Sequence, residues 1–265
     1  MSTVITSRQN PLAVRLAKLA SGKYRREEGL FLAEGVKLAS EAVGAGAVKY
    51  LLITEDKAGL PLVSQALDCG GEVVIMSRGV MEKISTESSP QGVIAVCRMM
   101  SDLHCGAEKA APSSGGVLIL DRVRDPGNLG TILRSAEAFG GVRLYISGCA
   151  DIYSPKTVRG SMGAVFRVPT VEFHDTECAV RYAKSEGRRV LGAALDKTAA
   201  CLGDYVPSAA DAVVIGTEGQ GISPGVISMC DGRIYIPMSG GESLNCAVAA
   251  SVIMWEMWKK CGKSG

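Results

Sequence analysis

The order of apolar and polar segments predicts an α/β fold divided between two domains. From Val117 to Lys260 apolar strands alternate with helical patterns, and residues 30–98 show a shorter alternation of the same kind. Ser101–Gly116, between them, is rich in Ala, Pro, Ser and Gly without apolar periodicity, which is typical of a linker. A chain of 265 residues, 47% of them hydrophobic, has enough apolar content for two cores. The predicted boundaries are 1–100, 101–116 and 117–265.

The first domain is predicted to be a small α/β unit. Asn10-Pro11 starts a helix with Leu12, Leu16 and Leu19 on one face, because Pro is favoured at the first helical position. The predicted strands are Leu30–Ala33, Val48–Thr54, Val73–Met76 and Gly92–Cys97, and the predicted helices between them are about Gly35–Val43 and Leu62–Leu67.

Two strands of the second domain each run into a glycine-containing loop. Val117–Asp121 is followed by Asp125-Pro-Gly-Asn-Leu-Gly130 and then by a helix with Ile132, Ala136 and Phe139 on one face. Ala212–Gly216 is followed by Thr217-Glu-Gly-Gln-Gly221. Both loops carry polar residues at the carboxyl end of a strand, which is where open α/β sheets bind ligands.

A third strand, Arg233–Ile236, ends at Pro237, which removes a hydrogen-bond donor from the ladder. Ser239-Gly-Gly241 forms a turn, and Ser243 is the predicted N-cap of the next helix. Alone, this segment fits an ordinary strand-to-helix turn equally well. Three such units together indicate one composite ligand site. None contains G-x-G-x-x-G after a strand or G-x-x-x-x-G-K-[ST], so dinucleotide and phosphate-loop sites lack specific support.

The three segments resemble the signature motifs of the SpoU/TrmH-type RNA 2′-O-ribose methyltransferases, in that family's order. The motifs are Leu120–Arg134 (LDRVRDPGNLGTILR), Gly216–Gly221 (GTEGQG) and Ile236–Asn245 running into Cys246-Ala-Val-Ala-Ala. Ser154–Phe166 is also similar to this group. Ser7-Arg-Gln-Asn-Pro together with Glu28–Gly35 resembles the substrate-binding domain that often precedes the catalytic one.

The resemblance implies a SPOUT α/β-knot catalytic domain, which is a deep trefoil knot, after a small L30e-like RNA-binding domain. It implies methyl transfer from S-adenosyl-L-methionine to a ribose 2′-hydroxyl, in a cytoplasmic homodimer. Ribosomal RNA is favoured as the substrate because many transfer-RNA members lack the N-terminal domain; transfer RNA is the alternative. Antibiotic resistance through ribosomal RNA methylation is a further role with the same chemistry.

The resemblance also assigns site residues. Gly216, Ile236 and Leu244 match cofactor-binding positions that act largely through backbone groups. The residues that match catalytic positions are Arg134, Asn128, Glu218, Ser243 and Asn245. An arginine stays protonated near neutral pH, so we expect Arg134 to clamp a phosphate and stabilise the alkoxide. An exposed helix arginine is the alternative, and Glu218 either orients Arg134 or a substrate hydroxyl, or pairs locally.

A basic cluster lies near the start of the chain. Residues 1–30 hold six cationic side chains, namely Arg8, Arg15, Lys18, Lys23, Arg25 and Arg26. The net charge of +2 is small for an RNA-binding protein, so the distribution of charge matters more than its sum. The cluster is predicted to contact RNA phosphates, although a solvated helix face has the same pattern.

Other site chemistries have little support in the sequence. No apolar run is long enough for a membrane span. The nine cysteines contain no Cys-x-x-Cys pair and there are two histidines, so no metal site is predicted and reduced thiols are expected. In the last helix Val248, Val252, Trp255 and Trp258 recur at helical spacing; such a stripe usually forms core, although the family dimerises through terminal helices. A non-catalytic RNA-binding or assembly protein and an NAD- or ATP-dependent enzyme remain the rival functions.

Overall fold

The computed structural model describes residues 4–100, 115–196, 199–217, 219–240 and 243–261. The helices in these ranges are α1 Pro11–Ala17, α2 Gly22–Glu28, α3 Val36–Gly44, α4 Pro61–Asp68, α5 Arg78–Ile84, α6 Pro126–Phe139, α7 Pro155–Ser161, α8 Thr176–Ser185, α9 Pro224–Met229 and α10 Cys246–Cys261. The strands there are β1 Leu30–Glu34, β2 Val48–Ile53, β3 Glu72–Ile75, β4 Val93–Arg98, β5 Val117–Asp121, β6 Arg143–Ser147, β7 Thr170–Glu172, β8 Arg189–Ala193, β9 Ala200–Cys201, β10 Asp211–Ile215 and β11 Gly232–Tyr235. Residues 101–114 of the predicted linker and the predicted site residue Glu218 lie outside the described residues.

The chain divides into two compact units, Met1–Met100 with Asp151–Arg167, and Ser101–Ala150 with Val168–Gly265. The interval 151–167 thus groups with the first unit, inside the range 117–265 that the sequence analysis assigns to one domain. The boundaries of that domain stay a prediction. No helix in the described ranges combines the length and the apolar content that a membrane crossing requires.

The first unit is built on a four-stranded sheet in the order β1-β4-β2-β3. β4 pairs antiparallel with β1 and β2, and β2 pairs parallel with β3. All four predicted strands and the two predicted helices between them are present, with ends shifted by at most one residue. Asn10 caps α1, since its Oδ1 accepts a hydrogen bond of 2.9 Å from the backbone N–H of Leu12. Leu16 and Leu19 are buried in the core below this sheet, as the spacing predicts.

Part of the segment 151–167 completes the core of the first unit. The ring of Phe31 in β1 lies 4.5 Å from that of Tyr153 and 5.7 Å from that of Phe166, measured between centroids. The hydroxyl of Tyr153 accepts a 3.0 Å hydrogen bond from the backbone N–H of Met100. A fragment that ends at residue 100 would therefore lack part of its own core.

The structure corrects the assignment of Arg25 to the RNA-binding cluster. Its side chain is 4% exposed and forms a 2.6 Å ion pair with Asp151. Nη1 also donates 2.8 Å hydrogen bonds to the carbonyls of Leu19 and Ala20. A guanidinium that is buried and paired in this way holds the fold together and offers no free surface to RNA. From sequence it was indistinguishable from its exposed neighbours.

The second unit is built on a seven-stranded sheet in the order β7-β6-β5-β10-β8-β11-β9. Every pairing between its named strands is parallel. All five residues of β5 and of β10 are buried, which is expected where helices cover both faces of a parallel sheet. Parallel pairing also brings the carboxyl ends of these strands to one edge, where the predicted motifs begin.

Helices α6 and α10 pack against each other in the second unit. Ile132 and Ala136 of α6 are buried, and Phe139 lies 5.8 Å from Trp255 between ring centroids. Of the two interpretations of the terminal stripe, core within the chain is not what the structure shows, because Val248, Trp255 and Trp258 are 48%, 42% and 41% exposed. The helix instead buries a second apolar face, which contains Ala247, Ala250, Ile253, Met254 and Met257. Helical periodicity alone did not distinguish the two faces.

Candidate active site

A cavity of about 380 Å³ opens at the carboxyl ends of three neighbouring strands, β10, β8 and β11. Its volume falls within the range of about 300–1,000 Å³ typical of small-molecule sites. The described residues that line it are Ala193, Ala194, Leu195, Ile215, Gly216, Thr217, Gln220, Gly221, Ile222, Ile234, Tyr235, Ile236, Met238, Ser243, Leu244, Cys246, Ala249 and Ile253. We call it the strand-end cavity.

The strand-end cavity brings the predicted cofactor residues together. Gly216 follows β10, Ile236 follows β11, and Leu244 precedes α10, and all three line the cavity with Ser243. Leu195 was not predicted, although it follows β8 and leaves 62% of its surface exposed. The rule that ligands bind at the carboxyl ends of parallel strands would have identified it.

The walls of the strand-end cavity are apolar or neutral. Among the described residues that line it there is no Lys, Arg, Asp or Glu. A diphosphate ligand is usually held by cationic side chains, which the described lining residues of this cavity do not include. An uncharged and largely apolar wall instead suits a ligand with a flat apolar ring.

Asn245, and not Ser243, caps α10, so the predicted cap is wrong. The Asn245 Oδ1 accepts hydrogen bonds of 3.0 Å from the N–H of Ala247 and 3.3 Å from that of Val248. Asn and Ser are about equally good N-caps, so propensity did not decide between two candidates two residues apart. Ser243 is exposed and remains at the rim of the cavity.

A hydrogen bond joins the first and third motifs. The Asn245 Nδ2 donates to Asn128 Oδ1 at 3.1 Å. Asn128 lies in the first turn of α6, where its N–H donates to the capping carboxylate of Asp125 at 2.9 Å. The side chain of Asn245 thus caps one helix while it holds the beginning of the other.

A second cavity of about 290 Å³ lies beside the first, and we call it the motif-one cavity. The described residues that line it are Arg122, Val123, Arg124, Asp125, Asn128, Thr217, Gly219, Gln220 and Cys246. Thr217, Gln220 and Cys246 line both cavities. Unlike its neighbour, the motif-one cavity carries two arginines. Neither was predicted, because an arginine beside an aspartate in a loop gives no specific signal.

Arg134 lies on α6 but lines neither cavity. Its side chain is exposed, and none of the described residues forms a hydrogen bond or ion pair with it. Within one chain, the structure therefore does not bring the predicted catalytic arginine to the predicted cofactor residues.

The remaining predicted RNA-binding residues lie on the surface of the first unit. Arg15 forms a two-point ion pair with Glu28, which lowers the pKa of that carboxyl below its ordinary value. The Nζ atoms of Lys18 and Lys23 lie 5.2 and 5.8 Å from the ring centroid of Tyr24. The other two members are also exposed, namely Arg8 and Arg26.

Comparisons with known proteins identify the family of this chain. The SpoU rRNA Methylase family model matches residues 116–255, more than half of the chain. The chain belongs to this family. The MRM3-like substrate binding domain matches residues 10–95. The resemblance stated from the three motifs is thereby confirmed.

Among curated relatives, this SpoU-family chain is 31% identical over 255 residues to the 23S rRNA (guanosine(2553)-2′-O)-methyltransferase RlmP of Bacillus subtilis, covering 96% of this chain and 98% of the relative. It is 28% identical to the AdoMet-bound rRNA methyltransferase of Sinorhizobium meliloti, with a TM-score of 0.85 and 98% of both chains covered. The AviRb SpoU methyltransferase of Streptomyces viridochromogenes, also in complex with AdoMet, matches at 28% identity and a TM-score of 0.82, over 97% of this chain and 100% of that one. The predicted α/β fold, which the structure shows with a parallel sheet in the second unit, agrees with these structures.

Proposed function

We propose that this protein transfers a methyl group from S-adenosyl-L-methionine to a ribose 2′-hydroxyl of ribosomal RNA. The observation that carries the proposal is the strand-end cavity, where the three residues predicted to bind the cofactor meet on an uncharged wall. The likeness over whole chains to named rRNA 2′-O-methyltransferases supports the RNA substrate and the AdoMet-bound structures support the cofactor. We place the enzyme in the cytoplasm, with transfer RNA as the alternative substrate.

The cavity fits this cofactor. Ile236 and Leu244 offer apolar contacts for an adenine ring, and Gly216 brings the backbone of the loop to the cavity wall. When bound, S-adenosylmethionine supplies a methyl group attached to a positively charged sulfur. The sulfur is the leaving group, and its positive charge makes it a good one. The protein therefore has to align the 2′-hydroxyl and stabilise the charge that develops on its oxygen.

In this proposal each predicted catalytic residue has a separate role. Asn128 and Asn245 hold the cofactor loop against the start of α6 through their shared hydrogen bond. Ser243, at the cavity rim, contacts the substrate, and Glu218 orients the substrate hydroxyl or Arg134. Arg134 clamps an RNA phosphate and stabilises the alkoxide, while an RNA phosphate oxygen or a neighbouring polar group takes the proton.

We further propose a knot in the second unit and an RNA-binding role for the first unit. The loop between β11 and α10 belongs to a deep trefoil knot, and the first unit is an L30e-like RNA-binding domain. Arg8, Arg15, Lys18, Lys23 and Arg26 contact RNA phosphates, whereas Arg25 is buried and does not. A match to a substrate-binding domain over residues 10–95 supports the RNA-binding role of this unit.

The activity is tested with purified protein and unmethylated 23S ribosomal RNA made by transcription. With S-adenosylmethionine we expect one ribose to acquire a 2′-O-methyl group, detected by mass spectrometry of nuclease fragments. S-adenosylmethionine should also raise the melting temperature by mass action, while NAD and ATP should not, because the cavity wall lacks cations. Methylation of transfer RNA alone would select the alternative substrate. Stabilisation by NAD without any effect of S-adenosylmethionine would contradict the proposal.

We propose that the enzyme is a homodimer that pairs through the exposed face of α10. Val248, Trp255 and Trp258 make an apolar surface on an ordered helix, which is the kind of surface that association buries. A dimer would also allow Arg134 of one chain to serve the cavity of the other.

Charge on this face should break the dimer. For Trp258→Glu we expect light scattering to give the mass of one chain, against twice that mass for the wild type, because a carboxylate cannot be buried unpaired. Leu67→Glu is the matched control, since Leu67 is a 55% exposed apolar residue on α4. A dimeric Trp258→Glu variant would place the interface elsewhere.

A further inference from the structure

Arg122 has an unusual backbone conformation at the end of β5. Its φ is 58°, in the left-handed region, which is uncommon for a residue other than glycine. A single residue with a Cβ pays about 1–2 kcal/mol for this conformation. Asn or Gly would adopt it at lower cost. The arginine is therefore not explained by the turn that it makes.

Several elements fix the side chain of Arg122. Nε and Nη2 donate to the two carboxylate oxygens of Asp121 at 3.0 and 3.2 Å. Asp121 is 1% exposed, and it also accepts a 2.8 Å hydrogen bond from Thr176 Oγ1 and a 3.3 Å bond from the N–H of Ser223. On the other side, a Cβ placed on Gly148 would lie 3.0 Å from Arg122 Cγ, so the chain passes close to the arginine.

The pairing leaves donors of Arg122 unused. A guanidinium has five N–H donors, and the two bonds to Asp121 use one on Nε and one on Nη2. The other three have no acceptor among the described residues. The side chain is 33% exposed and lines the motif-one cavity, so these donors are available to a ligand there.

The cationic donors of the motif-one cavity favour an anionic ligand. Among its described lining residues, Arg122 and the exposed Arg124 are the cations, and Asp125, which already accepts the N–H of Asn128, is the carboxylate. The buried Asp121 balances the charge of Arg122, so the attraction comes from the guanidinium N–H groups that this carboxylate leaves unused. The neighbouring strand-end cavity has no charged residue among its described lining residues. The two cavities therefore differ in the ligand that each favours, although they share three wall residues.

We propose that Arg122, held by the buried Asp121, binds a phosphodiester of the RNA substrate in the motif-one cavity, with Arg124 as a second contact. This inference rests on the proposed function, because it takes the ligand to be RNA. A fixed guanidinium loses little freedom on binding and matches the geometry of two phosphate oxygens. Asp121 is then a positioning residue. The site sits next to the strand-end cavity, so it sets where the nucleotide enters.

The test compares two arginine-to-asparagine variants in the full-length protein. Arg122→Asn removes the charge but keeps a residue that tolerates the left-handed conformation. Arg167→Asn is the control, since Arg167 is also partly exposed and pairs with Glu41, but it lines neither cavity. The double variant Asp121→Asn, Arg122→Asn avoids a buried unpaired carboxylate, so it serves if the single variant is unstable.

The dissociation constant for unmethylated 23S ribosomal RNA is measured over a range of salt concentrations, together with that for S-adenosylmethionine. For Arg122→Asn and for the double variant we expect RNA affinity to fall on the order of tenfold. The slope of log K against log salt should fall by about 0.7–0.9, the loss of one phosphate contact. Affinity for S-adenosylmethionine should not change, which shows that the fold is intact. Arg167→Asn should match the wild type.

Equal RNA affinity and equal salt slopes for Arg122→Asn, the double variant and the wild type would overturn the inference. If the wild type methylates RNA in that case, the proposed function survives and only the role of Arg122 fails. If the wild type binds RNA without methylating it, the proposed activity is wrong. The comparison of RNA affinity between the wild type and Arg122→Asn still tests the role of Arg122. A wild type that binds no RNA would overturn both.

Discussion

Replacement of Arg134 by alanine is expected to lower kcat for RNA methylation on the order of 10²-fold or more, the range for loss of one electrostatic stabiliser. Arg134→Lys keeps the charge but loses the planar fork, so it should also lose much of the rate if two-point phosphate binding matters. Affinity for S-adenosylmethionine should stay the same, because Arg134 does not line the strand-end cavity. Single-turnover rates at saturating RNA measure the effect.

Arg181→Ala is the matched control for Arg134→Ala. Arg181 is likewise an exposed helix arginine of the second unit, on α8, and lines neither cavity. If Arg134 is only a solvated residue, both variants should methylate RNA at the wild-type rate.

A mixing experiment separates action within one chain from action across a dimer. Arg134→Ala combined with a cofactor-site variant, Gly216→Trp, should regain part of the activity through heterodimers. A mixture as inactive as its parents, with subunit exchange demonstrated, would show that the arginine does not act on the partner's cavity.

The sequence predicted the parts of the site that depend on local chemistry. The strands before the three motifs were found within one residue at each end, because their apolar runs stop at aspartate, glycine or proline. The residues that follow these strands then meet, since parallel strands share one carboxyl edge. Gly216, Ile236 and Leu244 line one cavity for this reason.

Other features depend on contacts between distant segments, and no local pattern revealed them. Arg25 looked like any other member of a basic run until Asp151, 126 positions away, proved to be its partner. Helical spacing identified one apolar stripe on α10 without showing that the helix buries a different face. Arg122 became visible only when its backbone conformation and the buried Asp121 were seen together.

The cofactor loop depends on the absence of a side chain at Gly216. A Cβ there would lie 2.2 Å from the backbone carbonyl carbon and oxygen of Gly221 and 2.4 Å from the N of Ile222. These neighbours are backbone atoms, so they cannot rotate away as a flexible side chain would. Gly221 is itself tied to Thr217, whose carbonyl accepts its N–H at 2.9 Å. Any added atom at Gly216 must therefore displace the loop as a whole.

Gly216→Ala is accordingly expected to weaken S-adenosylmethionine binding by tenfold or more, which corresponds to about 1.4 kcal/mol. The reason is that Thr217, Gly221 and Ile222 line the strand-end cavity and must move. Titration calorimetry measures this affinity, and the melting temperature should fall as well. Gly219→Ala is the control in the same loop, since a Cβ there meets nothing within 4 Å and its φ is not positive. It should bind the cofactor as the wild type does.

A second control separates loss of the cavity from loss of stability. A Cβ at Gly192 in β8 would lie 2.6 Å from Ile227 Cδ1, and Gly192 does not line the cavity. Gly192→Ala should therefore lower the melting temperature but leave cofactor affinity nearly unchanged. If Gly192→Ala weakens binding as much as Gly216→Ala does, the loss reflects general destabilisation. If Gly216→Ala binds like the wild type, the loop does not hold the cofactor in the proposed way.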